Sequence, residues 1–162
     1  MRLLALFCAG LATFAMALGY AGQSLWAGAG ICGAIGLLWL AGHWRGWDWA
    51  ADPCLAGWVG MAAFGAWHKV GAGWMLGGLV AALAAWDLAH FAERLRGAGL
   101  VLQRAELTRT HLRQLASILG AGLLLGSIAL GVRIDLTFGW ALLIGALAIV
   151  GVSGLIRYGG GR

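Results

Sequence analysis

Charge is scarce in this 162-residue chain: only 10% of its residues are Asp, Glu, Lys or Arg, where a soluble domain carries roughly a quarter. Proline occurs once, at Pro53, and the three cysteines, Cys8, Cys32 and Cys54, show no paired spacing. Each scarcity excludes something. With 62% hydrophobic residues, an aqueous fold of this size would leave far too much apolar surface in water, since a small domain buries only about two-thirds of what its unfolded chain exposes. The lack of Pro- or Ser-rich tracts excludes a disordered chain, because the 29 glycines sit inside apolar runs. The unpaired cysteines read as small hydrophobes rather than as a disulfide framework or a metal clip. No H-x-x-x-H, H-E-x-x-H or C-x-x-C motif is present.

What remains is an all-α polytopic membrane protein. A helix needs roughly 20 apolar residues to cross about 30 Å of hydrocarbon, and six segments of the chain meet that length or approach it. They fall at about 3–21, 25–42, 53–67, 74–91, 112–132 and 136–156, in a single transmembrane domain covering residues 1–162. Met1-Arg2 followed by an apolar run also has the look of a secretory leader; it is read here as a retained first helix. Ser24 is the expected cap of the second span, and Asp52-Pro53 looks like a helix start, with Asp as N-cap and Pro in the first turn. Between them, His43 to Ala51 mixes Trp44, Trp47 and Trp49 with Arg45 and Asp48, the composition of a headgroup-zone anchor.

One longer cytoplasmic loop is expected over about 93–113, where five arginines gather. Within it, Val101, Ala105, Thr108, Leu112, Leu115 and Leu119 keep a helical period, so the fifth helix can begin near Leu100, outside the bilayer. Sorting the basic residues by side gives nine on one and two, Lys69 and Arg133, on the other. That asymmetry predicts a cell (inner) membrane protein with both termini in the cytoplasm.

Hydrocarbon makes ionisable side chains costly, so those near a span are the first candidates for function. Asp87, His90 and Arg94 recur at i, i+3 and i+7 near the end of the fourth span, and Glu106, Arg109, His111 and Arg113 lie at the start of the fifth. Brought together, Asp87 and His90 with Glu106 or His111 would offer mixed nitrogen and oxygen donors suited to zinc or iron. The plainer expectation is a set of charge pairs that fixes helix rotation. Arg94, Arg96, Arg104, Arg109 and Arg113 would meet anionic headgroups or an acidic partner. Gly73 with Gly77, and Gly122 with Gly126, are G-x-x-x-G pairs that favour close helix packing.

Ser153, flanked by Gly151 and Gly154, is similar over four residues to the serine motif of rhomboid proteases, but no histidine follows it to act as base. The four histidines invite a haem reading, yet none lies in mid-span. No catalytic residue, metal site or cofactor is assigned. The expected partners are the lipid bilayer and other membrane subunits or a second copy, not nucleic acid. The function expected is a non-catalytic accessory or scaffold subunit of a larger membrane complex. A small-molecule transport component is the alternative, and a metal- or haem-dependent membrane enzyme comes third.

Overall fold

A backbone in hydrocarbon must satisfy its own polar groups, which a helix does within one segment. The computed structural model describes residues 2–97 and 104–131, and these form five α-helices. They are α1 (Arg2–Ala21), α2 (Trp26–Arg45), α3 (Ala51–Trp67), α4 (Ala72–Gly97) and α5 (Arg104–Gly131), with a 3-10 turn over Asp48–Ala50. Four stretches are long and apolar enough to cross a membrane: Leu3–Ala21, Trp26–Arg45, Ala72–Arg96 and Glu106–Leu130. This is the composition of a membrane protein. The seventeen residues of α3 rise only about 25 Å, short of the hydrocarbon thickness. The sixth expected span, 136–156, lies outside the described residues.

All five helices belong to one compact unit, Met1–Leu130. Within it α1 packs on α2, α2 on α3, α3 on α4, and α4 back on α1, which closes a ring of four. The α1–α4 contact is the most extensive, and residue size explains it. The buried face of α1 is Ala5, Ala9, Ala12, Met16 and Tyr20, while Leu3, Phe7, Leu11 and Phe14 point outward. On α4, Met75, Gly78, Ala81, Ala82, Ala85 and Leu88 are buried. Lipid is as apolar as leucine, so helices gain by close backbone approach, not by hiding their largest side chains. A Cβ placed on Gly78 would lie 2.6 Å from Met16 Cγ.

Three helix ends close with the same device. Leu25 N–H donates to the Tyr20 carbonyl at 3.0 Å, Trp47 N–H to Gly42 at 2.8 Å, and Val70 N–H to Gly65 at 2.8 Å. Each closure needs a left-handed residue one step earlier. Gly46 supplies it at φ 68°, but Ser24 and Lys69 take it at 59° and 54° as ordinary L-residues. Ser24 therefore ends α1 instead of capping α2, whose N-cap is Leu25 with no side-chain bond.

Other boundaries differ from those the sequence suggested. α3 begins at Ala51, and neither its N-cap Ala50 nor Asp52 provides a side-chain cap. α4 runs on to Gly97 and α5 starts at Arg104, so most of the expected 93–113 loop is helix. Glu, Arg and Leu are good helix formers, and once a helix has left hydrocarbon its charged turns can continue in water. Trp39 is buried at 3% exposure against Trp58.

At the far end of the ring Tyr20 is fully buried, and its hydroxyl donates to the Met61 carbonyl. Its ring lies against Gly28, and its hydroxyl is 3.0 Å from where a Cβ on Gly65 would sit. Replacing Gly65 by Val should overpack this end and lower stability by about 1–3 kcal/mol. Gly60→Ala, where a Cβ meets nothing within 4 Å, should be neutral or stabilising by up to about 1 kcal/mol. Unfolding both variants in mixed micelles against the parent chain measures the difference.

Candidate functional site

Because neighbouring helices in the ring run antiparallel, the start of α3, the end of α4 and the start of α5 share one end of the molecule. Two carboxylate–imidazole couples form there. Trp86 and His90, one turn apart on α4, face α3: Trp86 Nε1–H donates to Asp52 Oδ1 at 2.8 Å, and His90 Nε2 lies 3.5 Å from the same oxygen. His90 Nδ1 is 3.1 Å from the Trp86 carbonyl. A carbonyl only accepts, so Nδ1 carries the proton, and Nε2 has one to give Asp52 only as imidazolium.

Asp87 and Phe91, also one turn apart, serve α5. His111 Nε2 is 2.6 Å from Asp87 Oδ2, a short side-chain hydrogen bond between the two helices. The Phe91 ring stacks on the imidazole at 3.8 Å with a 6° tilt, which covers one face of it. The Asp87 side chain remains 32% exposed and that of His111 24%.

The structure thus joins Asp87 to His111, as a hydrogen-bonded pair between helices, while His90 turns to Asp52. Asp87 and His90 do not share one ligand set: among the described residues no three of His, Cys, Asp and Glu gather where they could hold a metal ion. Neither imidazole is hydrogen-bonded to a serine, threonine or cysteine among those residues, so no activated nucleophile is built here. Chemically, the arrangement fixes the rotation of α4 against two neighbours. Glu106, Arg94, Arg96, Arg109 and Arg113 are exposed around it, and Arg104 opens α5. Trp44, Trp47 and Trp49 are exposed at the same end, with Trp47 stacked on Trp49 at 5.8 Å and under the Arg45 guanidinium at 5.2 Å.

The glycine pairs divide. Gly126 accommodates Leu76 of α4, 2.8 Å from where a Cβ would sit, whereas Gly73, Gly77 and Gly122 meet nothing within 4 Å. Asp52 is the participant that the sequence concealed, because an acid beside Pro53 reads as a cap. The i, i+4 pairing of Trp86 with His90 was its only trace.

Two cavities lie near this end. One, of about 40 Å³, is bordered by Trp39, His43, Trp47, Glu93 and Arg96. The other, about 470 Å³, is an apolar groove between α1 and α2, lined by Gly10, Phe14, Gly33, Leu37, Trp39 and others. No protein-family model, curated protein or solved structure matches the chain.

The two couples should differ in strength. A double-mutant cycle on Asp87→Asn and His111→Gln should give a coupling near 1–3 kcal/mol, as for a hydrogen bond to a charged group. The same cycle on Asp52→Asn and His90→Gln should give less than about 1 kcal/mol, because Asp52 is 66% exposed and the contact is longer. Detergent unfolding of each set checks the order.

Proposed function

We propose that this chain is a non-catalytic accessory or scaffold subunit of a larger membrane complex. The observation that carries this reading is α5. Over Glu106–Leu130 none of its residues is buried, whereas 39% of the apolar windows of α1 and α4 are. Ile118, Leu124, Leu125 and Ile128 are each at least 60% exposed. A span held to its neighbour by Asp87–His111, Phe91 and Leu76–Gly126 keeps most of its circumference for other contacts. Its Gly120 and Gly122 add an open small-residue surface on which a second helix can approach closely. Asp52, Asp87, His90 and His111 are spent on helix ties, which suits a subunit that positions and does not react.

The proposed setting is a cell (inner) membrane, crossed six times with both termini in the cytoplasm. In its favour, the described helices carry Arg2, Arg45, Arg94, Arg96, Arg104, Arg109 and Arg113 at the Asp52 end, against Lys69 at the other.

Purification in mild detergent followed by native mass spectrometry with metal and haem analysis tests this. The expected result is a stoichiometric complex with another membrane polypeptide or a second copy, weakened at least about tenfold by Ile118→Ala with Leu125→Ala, a loss of about 1.4 kcal/mol or more. A lone chain that retains a metal, haem or small molecule would contradict the proposal and put a metal- or haem-dependent enzyme or a transport component first.

A further inference from the structure

The groove between α1 and α2 is held open by glycine. A Cβ on Gly10 or Gly33 would meet nothing within 4 Å, although Gly36, one turn beyond Gly33, is pressed against Thr13. The helices therefore touch at Gly36 and leave room on either side of Gly33 and Gly10. From Leu6 to Ala17 the α1 wall is about 16 Å long at 1.5 Å per residue. That is half of a hydrocarbon core about 30 Å thick, the depth of one leaflet. The volume, about 470 Å³, falls among those of small-molecule sites.

Trp39 is the one residue that lines both the groove and the smaller cavity. It is 3% exposed, and its N–H has no acceptor among the described residues. The rim of the smaller cavity carries two opposite charges from one face of α4, Glu93 and Arg96 at i and i+3. Glu93 makes no ion pair among the described residues, and Arg96 spends only its Nε, on the Ala92 carbonyl at 3.4 Å. An acid and a guanidinium without an ion pair among the described residues, in a cavity that shares Trp39 with a leaflet-deep apolar groove, match an amphiphile whose head bears both signs.

We propose that this flank binds one ethanolamine phospholipid. One acyl chain lies in the groove past Gly33 and Gly10. The phosphate meets Arg96, and the primary ammonium donates to Glu93. A choline head has no N–H for Glu93, and a glycerol head has no cation for it, so both bind less well.

The test is native mass spectrometry of the full chain released from vesicles of equimolar dioleoyl phosphatidylethanolamine, phosphatidylglycerol and phosphatidylcholine. The expected result is one retained phosphatidylethanolamine per chain. Glu93→Gln should cut its advantage over phosphatidylglycerol about tenfold or more, the effect of losing one charge-assisted hydrogen bond. Gly33→Leu should abolish retention, and Gly10→Leu serves in its place if that variant does not fold. Gly60→Leu, on α3 and also open, should retain lipid like the parent. A parent preference for phosphatidylglycerol, a Glu93→Gln variant with unchanged selectivity, retention by both filled-groove variants, or a second copy seated in place of lipid would each overturn the proposal. Retention is read on the single chain, so it is independent of whether α5 recruits another subunit.

Discussion

The close approach of α1 and α4 is the contact on which the rest of the molecule depends. Alanines at positions 5, 9, 12, 81, 82 and 85, with Gly78 opposite Met16, bring two backbones together along most of their length. In water such a seam would be weak, because it buries little apolar area per residue. In hydrocarbon the comparison is between packed helix and packed lipid, and small side chains give the tighter fit. The large residues then follow from exclusion: Leu3, Phe7, Leu11 and Phe14 go to the lipid side because nothing inside has room for them. Where the core does take a large ring, it is Tyr20 against glycines at one end and Trp39 against Trp58 at the other.

With the seam fixed, α4 distributes its remaining faces. Trp86 and His90 go to Asp52 on α3, and Asp87 and Phe91 to His111 on α5. Both contacts sit within the last turns of the helix before its charged extension, where a carboxylate is paired at lower cost than at mid-bilayer. They hold rotation and register, which uniform apolar packing holds poorly. The seam thus gives adhesion, and the polar end gives specificity.

Much of this was legible in the chain. Apolar runs placed α1, α2, α3 and the start of α4 to within a few residues, and the pairing of Asp87 with a group at the start of α5 follows from two polar clusters that flank one loop. Four features were hidden for physical reasons. Helix boundaries shifted at Ser24 and Asp52 because a residue good at capping is also tolerated in a left-handed turn or a first helical turn, and only the neighbouring helix decides between them. The charged stretch after Phe91 looked like a loop because hydropathy reports burial in lipid, not helicity in water. His90 parted from Asp87 because residues three apart differ by about 60° around the helix, enough to point at different neighbours once α3 and α5 flank α4. The grooves that glycines leave open, at Gly10 and Gly33, have no signature distinct from glycines that pack, such as Gly36.

α4 carries α5 through a polar tie at one end and a glycine contact at the other. Disulfide trapping in native membranes reaches it directly, with cysteines at Leu76 and Gly126 in a chain whose own Cys8, Cys32 and Cys54 are replaced by alanine. Rapid, near-complete cross-linking, slowed by Asp87→Asn, is the result this arrangement predicts. Failure of that pair to cross-link, while cysteines at Met16 and Gly78 trap α1 against α4, would contradict it and leave α5 without its place on the bundle.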